Sequence, residues 1–275
     1  DRRAGVHCQR CDKLICPSCM HQASVGFHCP ECVRNGKQVV RTMATLGVVR
    51  EPIVTQVLIG LNVLVFLLGL TQGGTLFRVS PELLRDYALF GGILPGIPLG
   101  VDAGEWYRVF TSAFLHDGII HLGMNMFLLW MLGSQLERRE GHLELGLVYL
   151  AAVIGGAAGA LLLEPTAPTV GASGGVFGLM GMMVVHQRAR GIDVWQSGIG
   201  GLIVINLVLS VSLSNISLGG HVGGLLGGLA AAAVFDAVAR QRRPRWNGAA
   251  AVAALSLVLF GLALVAAAQW RDPFF

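Results

Sequence analysis

The sequence predicts an all-α polytopic membrane protein preceded by a small cysteine-rich, metal-binding module. Three observations carry that prediction. Of 275 residues, 53% are hydrophobic and only 13% charged, whereas soluble globular domains carry about 25% charged residues. Apolar stretches of near-spanning length recur from residue 53 onward. All six cysteines fall between Cys8 and Cys32, ahead of the apolar part. The 38 glycines fit the same class, because small residues let membrane helices approach closely.

The apolar stretches lie near 53–71, 118–136, 143–163, 173–187, 194–213, 220–238 and 248–269. A helix needs about 20 residues to cross a hydrocarbon core of about 30 Å, so seven spans are expected. Arginine placement gives the direction. Arg34, Arg41 and Arg50 precede the first stretch, Arg138 and Arg139 follow the second, Arg188 and Arg190 the fourth, and Arg240, Arg242, Arg243 and Arg245 the sixth. The opposite loops at 164–172 and 214–219 hold no Lys or Arg. Positive charge stays inside, so the expectation is a plasma-membrane protein with a cytoplasmic N-terminus and an outer C-terminus. The outer loop at 72–117 carries Arg78, Arg85 and Arg108 and is expected to be structured. No cleavable signal peptide is visible, and a start at Asp1 suggests residues missing upstream. The divisions are a module at 1–37, a basic linker at 38–52, a six-helix core at 53–240, and an added helix with a short tail at 241–275.

The cysteines form knuckles with two residues between each pair: Cys8 and Cys11, Cys16 and Cys19, Cys29 and Cys32. Such spacing presents two thiolates to one tetrahedral zinc, and a reducing cytoplasm disfavours disulfides. If alternate pairs share an ion, Cys8, Cys11, Cys29 and Cys32 complete one structural zinc site. Cys16 and Cys19 then need ligands from upstream, or from His7, His21 or His28. The module's expected job is docking to a cytoplasmic protein partner, with plain structural capping as the alternative.

Polar side chains inside spans are costly and usually functional. His121 and Asn125 stand four apart and share one face of the second span; Ser173 opens the fourth and His221 the sixth. Ser173 lies 15 residues before Arg188, His221 lies 15 before Asp236, and Asn125 lies 13 before Arg138. At 1.5 Å per residue these are roughly 20–22 Å of helix, which puts the polar groups in one layer some 8–10 Å below the outer boundary. The fourth helix is too short to cross alone. The loop before it, EPTAPTVGA, is therefore expected to dip into the bilayer beside a wet cavity. A serine, two histidines and an asparagine in such a layer outline a hydrolytic site.

In that outline Ser173 needs a base, and His221 is the candidate. The His221 helix offers no acid before Asp236, which favours a Ser–His dyad; Asp117 stays open as a third member. The Ser173 N–H, the Asn125 amide and the His121 ring are candidate oxyanion donors. Gly174 and Gly178 on one helix, with Gly220, Gly224 and Gly228 on another, repeat the four-residue step that lets two backbones touch.

These segments resemble the rhomboid family of intramembrane serine proteases over roughly 50–240. The carriers are Trp106 and Arg108 within Glu-Trp-Tyr-Arg (105–108), FLHDGIIHLGMNM (114–126) with an earlier His116, GASGGVFGLMG (171–181) with Gly171 opening the motif, and GGHVGGLLGG (219–228). The resemblance implies a rhomboid-like six-helix core plus a seventh helix, with Ser173 as nucleophile, His221 as base, and His121 and Asn125 at the oxyanion. It also implies Glu137 as a structural acid at the inner end of the second span. A departure is Phe177, where a Tyr often stacks beneath the histidine, so the ring is kept and the hydroxyl lost. An N-terminal cysteine ribbon is similar to that of some bacterial members.

The expected activity is hydrolysis of peptide bonds in or near transmembrane helices of single-span or multi-span substrates in the lipid bilayer. Catalysis needs no cofactor, and no nucleic-acid partner is expected. Substrate access is expected past the fifth span, whose outer end SVSLSNISLGG is polar, with access from above as the other route. The alternative function is a non-catalytic rhomboid-like protein that binds and escorts transmembrane segments. A transporter would want intramembrane charges or helices broken at mid-depth, which the sequence lacks.

Overall fold

A computed structural model describes residues 4–23, 25–35, 51–92, 99–213 and 216–268. Most of the basic linker, with Lys37, Arg41 and Arg50, and the tail from 269 lie outside the described residues. The chain divides into two compact units, Asp1–Gly47 and Val48–Phe275.

The first unit is two small hairpins and a short helix. β1 (Val6–His7) pairs antiparallel with β2 (Leu14–Ile15), β3 (His21–Gln22) with β4 (Phe27–His28), and α1 (Pro30–Asn35) follows. Its buried centre is Cys8, Ile15 and Cys29, with Met20 and Cys32 against it. So small an apolar core cannot hold a fold unaided.

The second unit is helical: α2 (Ile53–Thr71), α3 (Pro81–Tyr87), α4 (Arg108–Thr111), α5 (Ile119–Leu128), a π-helical turn (Leu129–Gly133), α6 (Ser134–Glu140), α7 (His142–Leu163), α8 (Ser173–Ala189), α9 (Ile199–Ser212), α10 (Leu218–Arg240) and α11 (Arg245–Ala268). The stretch from α5 to α6 runs as one helix, Ile119–Glu140. Among the described residues, five helices are long and apolar enough to cross a membrane, where the sequence suggests seven. The two that fall short are α8, with 17 residues, and α9, with 14. Helix α9 starts later than its apolar stretch because Asp193 Oδ1 accepts the N–H groups of Trp195 (2.7 Å) and Gln196 (3.0 Å). That Asx-type turn competes with helix, and Gly198 at φ +85° completes the break.

Large apolar side chains face outward, among them Leu64, Phe127, Val208 and Leu257. So many exposed large apolar side chains, most of them on helices of spanning length, suit lipid rather than water. The chain is a multi-pass membrane protein.

Inside, small residues dominate. Helix α7 is central, buried continuously from Ala151 to Ala158, and packs on α8, α10 and α11. A Cβ at Gly224 would run into the Gly174 backbone, and one at Gly228 into Gly178. A second seam joins α7 to α10, where Gly155 and Gly159 meet the backbones of Gly223 and Gly219. Sequence reading found the first seam and missed the second.

Two buried ion sites pin the remaining elements. Glu137 is fully buried and accepts the N–H groups of Val54 (2.7 Å) and Thr55 (2.8 Å) and the Thr55 hydroxyl (2.6 Å). It thereby caps the N-terminus of α2, whose first N–H groups lack helical partners. Arg108, also fully buried, donates to Glu105 Oε2 (2.8 Å) and the Ala88 carbonyl (2.9 Å), with Phe90 beneath its guanidinium at 4.4 Å. Burial opposes ionisation of Glu105, but the Gly100 N–H and Arg108 hold its carboxyl below the usual range. Trp106 is half exposed and meets Phe110 and Phe260 edge-on, joining the loop to α11.

Candidate active site

The site begins at the loop into α8. Gly171, at φ +124°, takes a backbone shape that side chains resist, and its N–H donates to the Ser112 carbonyl (2.9 Å). The Ala172 N–H donates to His116 Nε2 (3.4 Å). These two bonds fix the chain direction just before Ser173. Ala172 then occupies the N-cap position with no side-chain cap, although Ser, Thr, Asp or Asn would normally fill it. By contrast Ser217 caps α10, accepting from the Gly220 N–H at 2.9 Å. The first N–H groups of α8, Ser173's included, are thus left without a capping side chain.

His221 stands on α10 one turn from Gly224, where α10 touches the Gly174 backbone. Its ring stacks on Phe177, one turn below Ser173, with centroids 4.2 Å apart and planes 23° apart. Its Nδ1 lies 2.6 Å from the Ser210 hydroxyl. Among the described residues no hydrogen bond joins Ser173 to His221; such bonds often tighten only when substrate binds.

Helix α5 also packs on α8. The His121 ring edge, Cε1 and Nε2, would sit 2.8 Å from a Cβ at Gly171, and Ser173 Oγ 3.8 Å from the same point. Any side chain at 171 would therefore fill the space that the two groups border. His121 Nδ1 accepts the Asp117 N–H (3.3 Å), so the ring proton belongs on Nε2, facing that space. Asn125 donates one amide N–H to the His121 carbonyl (3.0 Å) and has a second N–H to give.

A domain model described as "Rhomboid domain" matches residues 103–237. Over 188 residues the chain is 36% identical to the rhomboid protease GluP of Bacillus subtilis, covering 67% of this chain and 35% of GluP. It is 34% identical over 170 residues to the putative rhomboid protease YdcA of the same organism, covering 60% of this chain and 84% of YdcA. RHOMBOID-like protein 6, mitochondrial, of Arabidopsis thaliana is 34% identical over 136 residues, covering 46% of this chain and 43% of that protein. The chain belongs to the rhomboid family.

Within this rhomboid chain, Asp117 is engaged away from His221: its Oδ1 accepts the Val79 N–H (3.0 Å) and its Oδ2 faces Arg78 (3.7 Å). Two more residues matter to the geometry: His116, which the sequence offered only as part of a motif, and Ser210, which it did not single out. His116 is buried, and burial followed by the nearby His121 pushes it down to about 3, so it stays neutral and able to accept from Ala172. The His221 helix itself offers no acid before Asp236; the partner of the ring is instead the Ser210 hydroxyl on the neighbouring α9.

In the first unit, Cys8, Cys11, Cys29 and Cys32 bring their sulfurs within 4.8 Å of one another and could hold a metal ion. The Cys11–Cys29 sulfur separation is 3.7 Å, close to the edge of about 3.8 Å for four thiolates at 2.3 Å around zinc. Although burial raises it, the backbone N–H groups of Cys29, Arg10 and Cys11 hold the Cys8 thiol down at about 6, while Cys11 first, then burial, pushes Cys32 up to about 12. Cys16 and Cys19 stand outside this cluster, with Cys16 Sγ 3.3 Å from the Ser18 hydroxyl. His7 is turned to Asp12 instead (3.2 Å), and His21 and His28 face one another across β3 and β4.

Proposed function

We propose that the chain is an intramembrane serine endopeptidase acting on peptide bonds in or near transmembrane helices of single-span or multi-span membrane proteins. One observation carries the reading: Ser173 sits at an uncapped helix N-terminus beside the Nε2 edge of His121, and the His221 ring stacks on Phe177 one turn below it. The names of GluP and YdcA point the same way. The chain spans about a third of GluP, so the relatives' activity supports the proposal without standing in for it.

The chemistry follows from the placement. Ser173 Oγ attacks the scissile carbonyl carbon while His221 Nε2 takes its proton. Negative charge gathers on the former carbonyl oxygen, where the Ser173 N–H, His121 Nε2–H and the free Asn125 N–H can converge. Collapse breaks the C–N bond, and His221 returns its proton to the departing amine. Water, deprotonated by the same histidine, then hydrolyses the acyl-serine ester. A substrate helix hides its carbonyls in its own hydrogen bonds, so it must unwind to react, which favours small or helix-breaking residues near the cut.

Arginine placement supports seven spans in the plasma membrane, with a cytoplasmic N-terminus and the site opening outward. The core is 53–240 and the added helix belongs to 241–275. Zinc on Cys8, Cys11, Cys29 and Cys32 would stabilise the module at 1–37, which supports docking to a cytoplasmic partner, and takes no part in the reaction. The test is labelling of detergent-purified protein by a fluorophosphonate. The wild type should label at Ser173, and Ser173→Ala and His221→Ala should not. Undiminished labelling of both variants would refute the assignment.

A further inference from the structure

We propose that Ser210 on α9 is a positioning residue for His221, holding its proton on Nδ1 and leaving the Nε2 lone pair for Ser173. The functional part of this proposal rests on reading His221 as the base; the hydrogen-bond part does not.

The argument is an inventory of protons. The Ser210 hydroxyl lies 2.7 Å from the Asn206 carbonyl and 2.6 Å from His221 Nδ1. A carbonyl can only accept, and a hydroxyl has one hydrogen and two lone pairs. Its hydrogen is committed to Asn206, so it meets Nδ1 with a lone pair, and Nδ1 must donate. Both side chains are buried, at 4% and 8% exposure, so water is not the partner and the unmade bond would be costly. A neutral imidazole has one N–H; with it on Nδ1, Nε2 is an acceptor, the state a general base requires.

The placement of Ser210 is otherwise hard to explain. The buried residues of α9 are Ile199, Gly200 and Ser210, so its last three turns bury one side chain, and that one is polar. Ser212, two residues on, makes only the local bond to the Val208 carbonyl (2.8 Å) and is exposed. Ser210 makes the same local bond and adds the contact to His221. Of the elements packed around the ring, α8 presents Phe177 and α9 presents Ser210; the ionisable group acting on it is His121 of α5. No acid takes the orienting role among the described residues.

The experiment is nitrogen-15 NMR of histidine-labelled full chain in detergent, with the His221 signals assigned by their loss in His221→Gln. The wild type should show Nδ1 protonated and Nε2 as the bare acceptor, and Ser210→Ala should lose that preference while Ser210→Thr keeps it. A wild-type His221 protonated on Nε2, or a tautomer unchanged in Ser210→Ala, would overturn the proposal. In cleavage assays Ser210→Ala should lower kcat by about 10–100-fold, less than the roughly 10²–10⁴-fold a positioned base supplies, because the base itself remains. KM should hold, the pH–rate profile should shift, and Ser210→Thr should restore both. A uniform loss with an unshifted profile and no rescue would mean a merely structural role and would also overturn it. If Ser210→Ala does not fold, the wild-type and Ser210→Thr spectra decide. Because the spectra need no substrate, a chain that fails to label at Ser173 would sink the protease reading while leaving the Ser210–His221 bond separately judged.

Discussion

His121, half-buried on α5, and His221, buried on α10, belong to two helices that pack on α8, and with the proposed Ser210 bond their protons fall on opposite nitrogens. At His121 a backbone N–H, that of Asp117, occupies Nδ1 from 3.3 Å and leaves Nε2 to donate. At His221 a hydroxyl already donating elsewhere occupies Nδ1 from 2.6 Å and leaves Nε2 to accept. In the proposed mechanism one ring would stabilise developing negative charge and the other would remove a proton. The residue type does not separate these roles. The neighbour at Nδ1 does, and it comes from the 112–118 loop in one case and from α9 in the other.

If the two sides differ in this way, they should fail differently. The largest effect belongs to the accepting side: His221→Ala and Ser173→Ala should each lower cleavage of a model single-span substrate by about 10⁴–10⁶-fold, and together by little more, since the pair acts as a unit. Losses that simply multiplied would break the comparison. On the donating side, His121→Ala and Asn125→Ala should each cost about 10²–10³-fold in kcat. Fluorophosphonate labelling of Ser173 should survive these changes, because the base is intact. A third change separates the sides mechanically. Gly224→Ala places a methyl against the Gly174 backbone and moves α10 from α8 without touching α5; a misplacement near 1 Å costs about 10²-fold. Wild-type labelling rates in that variant would show that close approach is not what sets His221.

The smallest effect is expected from the cysteine module. Removing residues 1–37 should leave reporter cleavage in detergent within about twofold, because structural zinc supplies folding energy to its own module. Metal analysis of the full chain should return about one zinc per molecule, from a single four-thiolate site. Two ions would mean that Cys16 and Cys19 find local ligands. None, with disulfides found by mass spectrometry, would refute zinc.

Much of this was legible in one dimension because membrane spans and metal knuckles are local patterns. Apolar stretches marked the helices to within a few residues, except where Asp193 and Gly198 delayed α9. The spacing of the cysteines suggested which four would meet. Counting back from Arg138, Arg188 and Asp236 predicted one layer for Asn125, Ser173 and His221, since helix rise converts residue number to distance. What stayed hidden depends on contacts between elements remote in sequence. The α7–α10 glycine seam needs two helices whose neighbourhood no spacing announces. Ser210 reads as one more polar residue at the end of a helix until His221 of the next helix is set beside it.

The glycine seams have a consequence for motion. A side chain that spaces two helices brings its rotamers with it, and each hop changes the gap. Glycine has none, so ordering it costs no side-chain entropy beyond the backbone's own, and there is no second packing for it to hop into. Where Gly174 meets Gly224 and Gly178 meets Gly228, the gap is set by main-chain atoms already tied into two hydrogen-bonded cylinders. Fast picosecond flips therefore do not reach the separation of these helices. What remains is the slower bending and shearing of whole helices, on microseconds to milliseconds, so the distance from serine to histidine should fluctuate on that slow clock.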